Sequence, residues 1–465
     1  MQKTQATRPF SEIDGPRGRP FVGLAPDFLR DPISVLTEGF ERYGDLVAYP
    51  FGPRRGPLRN VVVAAYHPDA VQFVLTETER TIGRGPSSTR VLGEMIGSNL
   101  MTTDGAEWRR QRRTLQPLFT PRRVAHYTEL MHREAERIAT EDVPGPGSEV
   151  DLHLLMLRYS LRMVGAALFS SNIDHIGPEL HQLIPLTNDL IIARTTTPVR
   201  LPLGVPTRSN RRFERVHRQL YSLIDRIIAQ RDGHPADEER DDILTRLRTA
   251  RDPETGDGLS SQEIRDQTLL MMMAGHETTA TALTFALHQL GRYQDIQDAV
   301  AGDGTDGTDG AGGTDPVSVV DHAQRRDTLT RATLLETMRL HPPVYMTEHA
   351  ATEDIELGGH HIPAGTALFL SPWVTHRHPD FWPDAERFDP TRFLGAQDRH
   401  RYAYLPFGGG PHVCIGEHFA LLAATVLLST LLRHYRITVS SSEIAIQQTG
   451  NLRPDEPVLA TLHPR

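Results

Sequence analysis

The segment QEIRDQTLLMMMAGHETTATALTFALHQLGRY, from Gln262 to Tyr293, constrains this chain more than any other. It reads as one helix, longer than the usual three or four turns. Its middle is apolar nearly all round, so it must be buried on every side, and a helical body is needed to bury it. His276, Glu277, Thr278 and Thr279 interrupt that middle. Buried polar groups are costly unless bonded or used. A zinc pattern HExxH fails, because Ala280 stands four residues after His276. Threonines that bond back to the preceding turn and merely bend the helix stay open as an explanation.

A chain of 465 residues, 38% of them hydrophobic, buries a large core without staples. Cys414 is the sole cysteine, which excludes an internal disulfide framework and any cluster held by several thiolates of this chain. A reducing, cytoplasmic setting is expected. The N-terminus, MQKTQATRPFSEIDGPRGRP, has no apolar run, and LLMLRYSLRMVGAALF is broken by Arg158 and Arg162, so neither leader nor membrane span is expected. A net charge of −9 argues against general nucleic-acid binding.

Along the chain, LVAYPFG and NVVVAAYHP read as strands and HPDAVQFVLTE as a helix. Helical patterns dominate from Gly105 to about Tyr293. The Gly, Thr and Asp tract at 302–316 is expected to be a low-complexity surface loop inside one domain, because the helical pattern RRDTLTRATLLETMRL follows it. Short strands around IELGGHHIPAGTALFL precede a final helix, HFALLAATVLLSTLLRHY. The expectation is an α+β, mainly α-helical fold over residues 1–465, with small β-sheets near the N-terminus and in the C-terminal part, and with 1–20 flexible.

Cys414 lies in LPFGGGPHVCIGEHF. A lone cysteine is most often a small buried hydrophobe. Here glycines at Gly408 to Gly410 and Gly416 let backbone approach something flat, and a helix begins just after the thiol. A helix N-terminus favours the thiolate, as nucleophile with His412 as base or as metal ligand, and the local pattern leaves both open.

This loop resembles the haem-binding signature of the cytochromes P-450, with Phe407, Gly410, His412, Cys414 and Gly416 in the places of Phe, Gly, a basic residue, Cys and Gly. The resemblance implies that Cys414 is the axial thiolate on haem iron, that Phe407 packs beside the sulfur, and that Gly408 and Gly416 admit the porphyrin. Thiolate ligation favours O–O cleavage. AGHETTA resembles the family's oxygen-activating segment, with Gly275 opening the helix and Glu277 and Thr278 as the acid and alcohol that deliver protons. ETMR and the later ERF run imply a structural ion cluster of Glu336, Arg339 and Arg387. Trp108 and Arg112, one helical turn apart, match residues that hold a haem propionate, and His349 stands where another arginine is common. These motifs run in family order across most of the chain.

The family resemblance implies a monooxygenase using haem b and O2, with electrons from NAD(P)H through a separate ferredoxin and ferredoxin reductase. Arg109, Arg110 and Arg113 are the expected docking face for an acidic donor. Apolar residues at Leu270, Met273, Ala274, Val344 and Met346 suggest a lipophilic substrate, such as a terpenoid or macrocyclic intermediate, with fatty-acid hydroxylation as runner-up. A monomer is expected. The alternatives are desaturation, ring closure or coupling at the same haem, a haem sensor, and a haem-free helical binding protein.

Overall fold

The computed structural model describes residues 7–53, 60–78, 80–145, 147–197, 200–233, 241–303, 325, 327–396, 398–448 and 450–465. The expected surface loop at 302–316 lies outside the described residues from 304 onward. Residues 7–20, expected to be flexible, are tied to the sheet region by backbone bonds, among them Arg8 with Gly359 and Ala48 with Asp14.

The helices that position the site are α1 (Gly105–Leu115), α2 (Leu152–Phe169), α3 (Gly177–Thr195), α4 (Ser261–Arg292), α5 (Leu329–Leu340) and α6 (Glu417–His434). Helix α4 is the long apolar segment, about 48 Å at the standard rise per residue. Ser260 and Glu263 bond reciprocally to each other's amides at its start, a capping box that satisfies two otherwise orphaned donors. Two apolar clusters share α2 and α4. One gathers Met156, Tyr159, Leu283, Leu287 and Leu427, and the other Leu161, Val164, Leu183, Leu269 and Met272. The Tyr159 hydroxyl donates to the Ala423 carbonyl at 2.9 Å, fastening α2 to α6.

Among the described residues one helix, α2, is long and apolar enough to cross a membrane, and 72% of it is buried inside the protein. Its two arginines are paired: Arg158 with Asp142 at 2.6 Å, and Arg162 with Asp142 and with Asp174 at 2.9 Å.

The mainly helical α+β expectation holds, with one difference in the sheets. Strands β1 (Leu46–Phe51), β2 (Asn60–Ala65), β3 (Ile82–Arg84), β4 (Thr347–Ala351) and β5 (Ala367–Leu370) form a single sheet in the order β1-β2-β5-β4-β3. Strands from both halves of the chain thus complete one sheet, a pairing no local pattern reveals. The antiparallel pairing of β3 with β4 sets Arg84 opposite His349. Near the C-terminus, Glu149–Asp151, Leu459–Pro464 and Tyr435–Val439 make a separate three-stranded sheet.

Candidate active site

Helix α4 carries the polar interruption as an unbroken helix. Gly275 does not open it. A Cβ at that position would stand 3.0 Å from Val164 Cγ2, so the glycine is there to let α2 approach closely. Thr278 donates its hydroxyl to the Ala274 carbonyl at 2.6 Å, the bond back to the preceding turn that the sequence left open. Glu277 is buried, and its carboxylate meets Arg453 at 3.4 Å, Asn451 at 3.4 Å and Asn188 of α3 at 3.5 Å. Ala274 is exposed midway along this helix, beside part-exposed Met273, Gly275, Thr278 and Thr279, so the polar interruption lies at a break in the packing around α4.

Cys414 has the same character: its surface is accessible, yet protein surrounds it on all sides. The loop closes by the Cys414 amide donating to the Phe407 carbonyl at 2.9 Å. Gly408, at φ +74°, has open space where a Cβ would project, and Gly410, at φ +64°, would drive a Cβ to 2.0 Å from the Leu75 carbonyl oxygen. Burial pushes the Cys414 thiol up, outweighing the Gly416 and Glu417 amides and the Arg112 charge that pull it down. That corrects the expectation that the helix N-terminus alone makes a thiolate. A bound metal ion would supply the missing stabilisation, since coordination deprotonates a thiol outright. A buried imidazole anchors the start of the loop. His376 Nε2 accepts from the Leu405 amide at 2.9 Å while its other nitrogen meets the Arg339 carbonyl at 3.2 Å.

Cationic and aromatic groups gather beside Cys414. Trp108 is buried, with its ring centroid 4.0 Å from that of His412, and Arg112 lies one turn further along α1 with its charge acting on both His412 and Cys414. His349 is buried from the sheet side, and its Nδ1 has no hydrogen-bond partner. Arg84 acts on both histidines. Burial, reinforced by Arg84, depresses His349 to about 4, and burial with the Arg84, His349 and Arg112 charges depresses His412 to about 3. An orphaned buried nitrogen and crowded cations at one edge of an internal space fit an anionic, flat ligand. Arg84 was missed from sequence, because only the strand register brings it opposite His349.

Residues 13–461 match the family model described as Cytochrome P450. The chain belongs to the cytochrome P450 family. It is 35% identical to cyclooctatin synthase of Streptomyces melanosporofaciens over 93% of this chain and 91% of that protein. It is 31% identical to cyclooctat-9-en-7-ol 5-monooxygenase of the same organism, over 92% and 90% respectively. Pentalenene oxygenase of Streptomyces avermitilis is 30% identical over 97% of this chain and 95% of its own length. This cytochrome P450 is a monooxygenase, an oxidoreductase of a family that works with haem, O2 and redox partners.

Two expectations for this P450 need correction. Arg387 is exposed and reaches the ion cluster only by its backbone carbonyl, which accepts from Arg339 at 3.2 Å. The second cation beside Glu336 is Arg392, at 3.5 Å. The signal for it was the second Arg-Phe pair, five residues after the first. The expected docking arginines are also occupied: Arg110 pairs with Glu263, and Arg113 with Asp252 at 2.8 Å and Glu254 at 3.1 Å. Acidic partners from the turn before α4 and from its first turn neutralise Arg110 and Arg113.

The expected pocket residues divide by environment. Leu270 is buried in the cluster with Leu269 and Met272, Met273 is partly exposed against it, and Val344 is partly exposed. Met346 packs against the clusters containing Tyr49 and Phe285.

Proposed function

We propose that this single-domain, cytoplasmic P450 inserts one oxygen atom into a cyclic terpenoid intermediate of secondary metabolism, with Cys414 as the residue that would hold the iron of haem b. The observation that carries this is Cys414 itself, a soft donor enclosed by protein yet accessible to an internal space. The bound haem supplies the activation of O2 and the oxidising power. Phe407 packs beside the sulfur, and Gly408 and Gly416 leave room for the ring. Trp108, Arg112, His349, His412 and Arg84 hold the propionates. Leu270, Met273, Ala274 and Val344, with Met346 behind them, give an apolar lining that orients a hydrocarbon skeleton and excludes water. Glu277 and Thr278 hold and pass protons toward the space that Ala274 faces. Electrons come from NAD(P)H through a separate ferredoxin reductase and ferredoxin. The terpenoid class is supported by relatives whose names specify cyclooctatin, cyclooctat-9-en-7-ol and pentalenene.

The deciding experiment titrates cyclic sesquiterpene and diterpene hydrocarbons and alcohols against the ferric protein, then analyses products with a ferredoxin system under labelled O2. A spin-state change and a product one labelled oxygen heavier are expected. Response to fatty acids alone, or a dehydrogenated product without added oxygen, would replace the reading.

His349→Leu tests the propionate assignment without reference to turnover. It removes one hydrogen bond to an anion, so haem transfer to apomyoglobin should quicken about tenfold, in line with roughly 1.4 kcal/mol for such a bond. An unchanged transfer rate would remove His349 from the haem contacts.

A further inference from the structure

His276 adjoins Glu277 on α4 but has no part in the site described so far. It is 1% exposed, and neither ring nitrogen has a partner in good hydrogen-bond geometry, although the Leu157 backbone of α2 is close enough to favour the charged ring. Its ring stacks on that of His181 of α3, with centroids 5.5 Å apart and planes 14° from parallel. The buried Nε2 of His181 is also without a partner. Four residues later Pro185 has no N–H, so the His181 carbonyl lacks its helical donor. Two turns along the same face of α3, Asn188 reaches Glu277.

Buried polar atoms are almost always satisfied, by protein or by ordered water. Three ring nitrogens and a freed carbonyl provide the two to four partners that a buried water needs. Titratable neighbours on α2 act on the pair. Arg158 of α2, 43% exposed, acts on His181, and His153 of α2 acts on both histidines. Asp151 and Arg453 act on His153 in opposite directions, and Arg453 is the cation that holds Glu277. Burial depresses His276 to about 3 and His153 to about 4. Both rings are therefore neutral at physiological pH. A neutral imidazole has one donor and one acceptor nitrogen, so it takes a proton on one side as it releases another.

We infer that His276 and His181, bridged by ordered water, form a proton relay that resupplies Glu277 from the solvent-facing end at Arg158. The inference rests on the proposed role of Glu277 as proton donor. Each proton that Glu277 gives up is replaced by one from a His276 nitrogen, through water, while the opposite nitrogen accepts one from the water shared with His181; the His181 Nε2–H reprotonates that water, and the other His181 nitrogen takes a proton from solvent. No electron moves, and the net step brings one proton from solvent to Glu277.

The test compares His276→Phe, His276→Gln, His181→Phe, Glu277→Gln and the double variant His276→Phe plus Glu277→Gln as holoenzymes with saturating reduced ferredoxin. Both phenylalanine variants should keep the reduced CO spectrum and substrate affinity. Product formation should slow on the order of tenfold with a larger solvent deuterium isotope effect, and the double variant should be no slower than Glu277→Gln. His276→Gln keeps polar contacts but cannot switch tautomer, so it should be as slow as His276→Phe. Wild-type rates in His276→Gln would make the role structural and overturn the relay. Fast His276→Phe beside slow Glu277→Gln would overturn the relay alone, whereas a fast Glu277→Gln would overturn the Glu277 assignment beneath it. Long-range 15N spectra of the reduced CO complex give an independent readout: His276 should be neutral at pH 6, and a charged ring there sinks the relay.

Discussion

Cys414→Ser should leave a folded protein that has lost its thiolate-type CO spectrum and nearly all turnover. The substitution changes one atom and spares the Cys414 amide bond to Phe407 that closes the loop. What it removes is the soft, electron-releasing donor, because a serine hydroxyl is far harder to deprotonate and binds iron weakly. Turnover should fall by at least about a thousandfold, equivalent to roughly 4 kcal/mol of lost transition-state stabilisation. Thermal unfolding of the haem-free proteins should coincide. A serine variant with the wild-type CO band would mean that another residue ligates iron.

Arg339→Met should cost the most stability. Arg339 is fully buried, bonds Glu336 through two nitrogens at 2.7 and 2.8 Å, and donates to the carbonyls of His376 at 3.0 Å and Arg387 at 3.2 Å. Removing it leaves a buried carboxylate bonded to the Asp389 amide at 2.9 Å, with Arg392 at 3.5 Å and the Arg377 and Arg399 charges acting from further off. Breaking such a pair costs about 3–5 kcal/mol. Burial already pushes the Glu336 carboxyl up with Arg339 in place, and without the cation it rises further. A carboxyl raised on folding favours the folded state below its unfolded value, near 4.3, and penalises it as pH rises. Denaturant unfolding should therefore show a larger loss at pH 8 than at pH 5. Adding Glu336→Gln should recover part of it. Equal losses at both pH values would show that Glu336 is not the group left unpaired.

The sequence made the helical body, the cysteine loop and the Trp108, Arg112 and His412 grouping legible, because each depends on residues close together in the chain or on a motif with fixed spacing. It misled wherever long-range geometry decided. Gly275 suggested an opening of the helix, but its missing Cβ serves the approach of Val164. Arg387 matched a triplet, yet its side chain faces solvent while Arg392 turns inward. Arg110 and Arg113 looked free because their acidic partners are more than a hundred residues away in sequence. Arg84 entered through strand register, and Arg453 and Asn188 through tertiary packing around Glu277, which no periodicity encodes.

The division of labour along α4 bears on how such a protein diversifies. Ala274 is exposed, its neighbour Gly275 packs against Val164, and His276 is sealed against α2 and α3. Three successive positions thus answer to three different selective pressures. Enlarging or shrinking residue 274 remodels the chamber while the interhelical seam beside it stays fixed. A lineage could drift from one carbon skeleton to another through that position without first acquiring compensatory mutations in its core, whereas a side chain at 275 presses on Val164 Cγ2 and requires that side chain to give way.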